Sequence, residues 1–139
     1  MTRVYLDVDG VLLGQSEGRV VLARHASEFL HFLLTRYEVF WLTTHCCGES
    51  QPVLDYLRPY ASDEFIARLS AVRPTRFDVL KTEALEYAAD FYWLDDSPLQ
   101  IELAELQRRG EFDRWIEVNT RQRPDDLLFA MRELASIAG

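Results

Sequence analysis

The chain reads as an α/β protein: a three-layer α/β/α sandwich around a mainly parallel sheet. Two observations carry this. Short, almost continuously apolar runs alternate with stretches of helical periodicity, the pattern of strands joined by crossover helices. The apolar runs also lack the in/out alternation of a half-solvated sheet, so both faces of their sheet are covered.

The elements follow in order. Residues 3–8 (Arg3-Val4-Tyr5-Leu6-Asp7-Val8) form the first expected strand. Val11-Leu12-Leu13 and Arg19-Val20-Val21-Leu22 flank a five-residue polar loop, Gly14–Gly18, and suggest a small β-hairpin flap over the end of that strand. Glu17 and Arg19 of this flap are candidates to touch a ligand bound at that strand end. Ala26, Phe29, Leu30, Leu33, Leu34 and Tyr37 then repeat at helical spacing. Residues 38–43 form a second strand. Ser62 followed by Asp63 and Glu64 opens a helix carrying Phe65, Ile66 and Leu69, and residues 70–73 are open between a short strand and a loop.

Thr75 with Asp78 resembles a capping box, so the spacing predicts a helix from about residue 76. Its buried stripe would be Phe77, Leu80, Ala84, Leu85 and Ala88. Residues 91–95 and 114–118 form the third and fourth sheet strands. Between them Ser97, Pro98 and Gln100 supply an N-cap, an N1 proline and a capping partner, and Gly110 can end that helix. Leu127, Leu128, Met131, Leu134 and Ala135 complete the pattern with a last helix. There is no repeat and no linker, so residues 1–139 form one domain with a Rossmann-like sheet. Neither 11–25 nor 44–73 has room for a large cap.

Composition narrows the partners. Apolar residues make up 48% of the chain, which argues against disorder. No apolar run approaches the ~20 residues that span a bilayer, so no membrane partner is expected. The first residues show no signal-peptide layout, which points to the cytoplasm. A net charge of −8 disfavours non-specific binding to polyanions, leaving nucleic acid open only as a substrate end. An oligomer remains open. The adjacent Cys46 and Cys47 are expected as free thiols, and with His45 they follow a strand end as loop residues without a chemical role. The three tryptophans belong to the core.

The chemistry concentrates at strand ends, where open α/β sheets bind ligands. Asp7 and Asp9 are two residues apart and leave the first strand on one face, and Gly10 lets the chain turn away. Thr43 and Thr44 close the second strand; Asp95 and Asp96 close the third. Lys81, the only lysine, falls within an apolar stripe, where it either snorkels at the stripe's edge or reaches an anionic partner. Four clustered carboxylates repel one another unless a cation or a proton intervenes. If Asp9 carries a proton, three negative charges remain, matched by a divalent cation plus Lys81. Oxygen-only ligands suit Mg²⁺.

Asp7-Val8-Asp9-Gly10-Val11, Thr43, Lys81 and Asp95-Asp96 together resemble the four motifs of the haloacid dehalogenase superfamily, in order and across almost the whole chain. Trp41-Leu42-Thr43-Thr44 and Trp93-Leu94-Asp95-Asp96 are also similar to the small domains of that type in Swiss-Army-Knife RNA-repair proteins. The resemblance implies a capless Mg²⁺-dependent phosphatase. Asp7 would be the nucleophile and Asp9 the acid and base. Thr43, Thr44, Gly10 and Lys81 would bind the phosphoryl group. Asp7, the backbone carbonyl of Asp9, and Asp96 would hold the metal, with Asp95 assisting. The implied substrate is a phosphorylated one: a nucleic-acid end, a phosphoprotein or a small phosphometabolite. A non-catalytic binding domain and a phosphotransferase are the competing readings.

Overall fold

A computed structural model describes residues 1–138. In chain order the elements are β1 (Arg3–Leu6), β2 (Leu13–Ser16), β3 (Arg19–Leu22), α1 (Ala26–Arg36) and β4 (Glu38–Trp41). Then come α2 (Gln51–Leu57), α3 (Asp63–Arg68), β5 (Phe91–Asp95), α4 (Gln100–Arg108), β6 (Trp115–Glu117) and α5 (Asp126–Ala138). Four strands form one sheet in the order β4-β1-β5-β6, and every neighbouring pair is parallel. Between β4 and β5 the chain crosses from one side of β1 to the other. The carboxyl ends of β1 and β5 therefore flank a topological switch point, the place where such sheets leave a crevice.

The period-2 alternation of strand side chains separates two cores. Val4, Leu6, Val39, Trp41, Leu94 and Ile116 face α1 and α5, whose Phe29, Leu30, Leu33, Leu127 and Leu134 are fully buried against them. Tyr5, Phe91 and Trp93 face the other way, against Leu85 and Leu106 of α4. This second face has a single α-helix and compensates with aromatic packing. Tyr5 stacks on Phe40 at 5.5 Å and meets the edge of Phe91 at 5.8 Å, and Arg109 lies over Tyr87.

Several expectations change in detail. The hairpin is present, but its loop is two residues rather than five. Ser16 pairs with Arg19, leaving Glu17 and Gly18 with φ of 52° and 75°. Both are left-handed, the geometry of a type I′ turn that suits the twist of the flanking strands. Residues 70–73 are a 3₁₀ turn followed by a single bridge from Arg73 to Phe40 at the edge of β4.

The helix expected from residue 76 does not form; only a 3₁₀ turn, Lys81–Ala84, is helical there. Carboxylates and hydroxyls occupy the donors a helix would use. Glu83 accepts the backbone N–H groups of Asp78, Val79 and Leu80, while Glu102 accepts that of Lys81 and the Tyr5 hydroxyl that of Glu86. Thr75 donates its hydroxyl to the Trp41 carbonyl instead of capping. The helix after β5 starts later than Ser97 suggests: Leu99 precedes it and Glu102 accepts the Leu99 N–H at 2.8 Å. Ser97 N–H is already committed to Asp95 at 2.9 Å.

Two loops at the carboxyl edge are sewn together. Gly10 has φ +79°, and a Cβ there would collide with the Asp96 carboxylate. Its carbonyl accepts the Thr120 N–H at 2.8 Å. The buried Thr120 hydroxyl reaches the carbonyls of Val11 at 3.0 Å and Leu13 at 3.3 Å. The loop after β6 is thus fixed to the loop after β1. Gly10→Ala, which combines a left-handed φ with that collision, is expected to cost about 1–3 kcal/mol of stability, read from urea unfolding. An unchanged unfolding midpoint would contradict this account of the loop.

Candidate active site

Asp7 is the first residue past β1 and is buried. Its Oδ1 accepts the neighbouring Val8 N–H at 2.8 Å, and its Oδ2 lies 3.2 Å from Lys81 Nζ. Parallel pairing of Leu6 with Leu94 places Asp95 at the same level one strand away. Asp95 is 1% exposed and fully engaged: Oδ1 accepts the Ser97 N–H, and Oδ2 accepts from Lys81 Nζ at 2.6 Å. Lys81 meets anions rather than snorkelling, and it has two. It reaches them from a 3₁₀ turn rather than a helix, and Glu102, buried behind it, fixes its backbone N–H.

Carboxylate oxygens of Asp7, Asp95 and Asp96 lie within 4.8 Å of one another. Crowding acids away from water disfavours their ionised forms. Burial, then the Asp95 charge, raises Asp7 from 3.8 to about 7 despite Lys81, and the same two causes raise Asp96, with Arg121 opposing. The folded chain therefore holds a proton at Asp7 across a range where the unfolded chain has released it. Stability on this account falls as pH rises from about 4 to about 7. Burying carboxylates together at this cost is consistent with a site built for a cation.

Asp9 belongs to a different arrangement. Its side chain turns from the other three acids toward the helical segment after β4. Tyr56 of α2 donates its hydroxyl to Oδ1 at 2.7 Å, and His45 Nε2 lies 2.8 Å from Oδ2. The two rings stack with centroids 3.7 Å apart, making one rigid clamp. Burial raises the Asp9 pKa, but the hydrogen bonds from His45 and Tyr56 outweigh it and the net shift is downward. These contacts favour Asp9 as a carboxylate, the opposite of the protonated case considered in the charge count above. Its backbone carbonyl, not its side chain, is what remains for a metal.

Thr43 is buried two residues past the end of β4, and its hydroxyl accepts the His45 N–H at 3.3 Å. Thr44 is exposed and joins Lys81, Ser97, Phe77, Val79 and Leu99 around a hollow of about 220 Å³ beside the carboxylates. A larger hollow of about 360 Å³ by Tyr87 and Ile101 has no acid of this group in its wall. Chemistry, not size, marks the site.

Sequence reasoning missed three participants. His45 sits two residues past Thr43 at a strand end, a position that could have flagged it. Tyr56, 47 residues from Asp9, carried no local signal. Arg121 follows the carboxyl end of β6, in the polar stretch Asn119-Thr120-Arg121, and its Nη1 lies 3.6 Å from Asp96 Oδ2. Cys46 and Cys47 are free thiols, one buried and one exposed. Among the described residues no helix is long and apolar enough to cross a membrane. Compared with family models and with curated proteins, the chain matches none.

The hydrogen bond to Asp9 is the largest cause raising the Tyr56 phenol to about 12, because ionising it would set a phenolate against a carboxylate. In Asp9→Ala the phenol is expected to titrate nearer its ordinary value of 10, followed by NMR of ring-labelled tyrosine. A titration identical to wild type would rule out the clamp.

Proposed function

We propose that the chain is a Mg²⁺-dependent phosphomonoester hydrolase of the haloacid dehalogenase type, acting through an aspartyl-phosphate on Asp7. The observation that carries this reading is the buried Asp7 carboxylate, held between the Val8 N–H and Lys81 with Asp95 and Asp96 alongside. The donor set fits the metal. Oxygen ligands at this density, on acids that burial and mutual repulsion leave short of positive charge, match a hard dication that keeps some of its waters. Asp7, Asp96 and the Asp9 carbonyl would hold it. Asp95, whose oxygens are taken by Lys81 and Ser97, would steer from behind. Bound there, Mg²⁺ would neutralise the carboxylates and polarise the phosphoryl oxygens.

The chain's own groups divide the remaining work. An Asp7 oxygen attacks phosphorus as the bond to the leaving oxygen breaks, splitting one slow displacement into two. Lys81 offsets negative charge on the nucleophile and the transferring group. The Thr43 hydroxyl and the exposed Thr44 offer hydrogen bonds to phosphoryl oxygens, and Gly10 keeps the loop close. Asp9, once it has taken a proton from water in the open cleft, gives that proton to the leaving oxygen as the phosphorus–oxygen bond breaks; the carboxylate left behind then takes a proton from the water that opens the aspartyl-phosphate. His45 and Tyr56 hold Asp9 in place for both transfers.

The short hairpin and the two small helices α2 and α3 leave the cleft without a large cap, which favours water as the acceptor over a second alcohol. Nucleic-acid ends, phosphoproteins and small phosphometabolites all fit an uncapped cleft.

Wild type is expected to hydrolyse p-nitrophenyl phosphate with Mg²⁺ and to stop when EDTA is added. Asp7→Asn should lower the rate at least ~10³-fold, as loss of a covalent nucleophile does. If wild type and Asp7→Asn are equally inert across a panel of phosphomonoesters, a non-catalytic binding domain takes the place of this reading. A second measurement addresses the metal directly. MgCl₂ is expected to raise the thermal midpoint more at pH 8 than at pH 5, because the Asp7 repulsion it would relieve is present only above the acid range. Equal shifts at both pH values would count against Asp7 as a ligand.

A further inference from the structure

The leaving group of a phosphoryl ester departs beside Asp9, so the residues around Asp9 are the ones that meet the rest of the substrate. Two are already committed, His45 and Tyr56, which grip its carboxylate. The third is Arg121, which stands beside Asp96 and whose charge also acts on Asp9 and Tyr56. Its backbone is held in place by Thr120, which is tied to Gly10, Val11 and Leu13 by three hydrogen bonds. Its side chain is 42% exposed at the mouth of the cleft. Among the described residues its only ion-pair partner is Asp96, at 3.6 Å, too long for a hydrogen bond. Arginines 108, 109, 114 and 123 each have a carboxylate at 3.2 Å or closer. Arg24 and Arg58 are paired as loosely as Arg121, at 3.7 Å, but with Asp125 and Asp55, which lie outside the carboxylate cluster. A guanidinium with five donors and one loose contact, on a rigid loop, is available to an incoming anion.

The contact to Asp96 is also the one that substrate binding would loosen. On the reading given above Asp96 turns to the metal, and the guanidinium is left beside the cleft with no protein anion assigned to it.

We propose that Arg121 is a specificity residue: it takes a second oxyanion, borne by the leaving alcohol, so that the substrates are small phosphomonoesters carrying a further acidic group. The charge of the whole chain, −8, favours a small acid over a long polyanionic strand, which many such charges would repel. This inference rests on the phosphatase reading for the position of the phosphoryl group.

Binding of unreactive phosphonates tests it without turnover. Propylphosphonate carries the phosphoryl mimic alone. 3-Phosphonopropionate replaces its terminal methyl with a carboxylate, and ethane-1,2-diphosphonate replaces it with a second phosphonate. With Mg²⁺ present, calorimetry on wild type is expected to show at least one of the two charged probes binding about tenfold tighter than propylphosphonate, the scale of one charge-assisted contact. Which one wins identifies the acidic group. The preference should shrink as NaCl is raised, since the guanidinium is partly exposed. Arg121→Gln should reduce it below about twofold, and Arg121→Lys should retain part of it.

Equal affinities for all three probes in wild type would overturn the proposal while leaving the phosphoryl site standing. So would Arg121→Gln weakening all three alike, which would assign the guanidinium to the phosphoryl group or to the fold. If no probe binds at all, the phosphoryl site itself is wrong and this inference goes with it.

Discussion

One ammonium group holds the centre of this protein together. Lys81 Nζ lies 2.6 Å from Asp95 and 3.2 Å from Asp7, both buried at the ends of adjacent parallel strands. Without it two desolvated carboxylates would face each other across one strand spacing, a cost of several kcal/mol per ion in a dry interior. The segment that brings it there gives up regular structure to do so. Residues 74–90 are held by side-chain acceptors from Glu83, Glu102 and Tyr5 rather than by a helical ladder. The position of one cation is thereby set by contacts spread over a whole face of the sheet.

The acids around that cation are not equivalent. Asp7 and Asp96 are pushed toward their neutral forms by burial and by Asp95, whereas Asp9 is drawn toward its charged form by hydrogen bonds from His45 and Tyr56. Environments that drive neighbouring carboxyl groups in opposite directions are how a site assigns different tasks to one residue type. In the proposed mechanism the first group gathers around phosphate and metal, while the second handles the proton. The fold supplies this separation by placing β5 on one side of β1 and the loop after β4 on the other.

Rigidity at the mouth of the cleft comes from a second device. The loop after β6 is bonded to the loop after β1 through Thr120, and the absence of a side chain at Gly10 leaves room for Asp96. Arg121 inherits its place from this join. A loop positioned by a rigid scaffold is where substrate selection usually resides, since it can vary without disturbing the sheet.

The strands, α1, α3, α5 and the hairpin were legible in the chain because each rests on local chemistry: apolar runs, the 3.6-residue period, Ser62 as a cap, and two apolar runs around a polar stretch, although the turn itself is tighter than that stretch suggests. The acids at the strand ends were legible for the same reason, since parallel strands carry their last residues to one edge. Residues 76–88 misled because their helical spacing was genuine, while the acceptors that overrode it are Glu83, folding back on its own segment, and Glu102 and Tyr5 on other elements. His45 and Tyr56 meet Asp9 across 36 and 47 residues, and Thr120 meets Val11 across 109. Periodicity and capping describe neighbours along the backbone. The pairing of Asp9 with its clamp, the resting charge of each acid and the placement of Arg121 depend on neighbours through space, and those exist only once the sheet has closed.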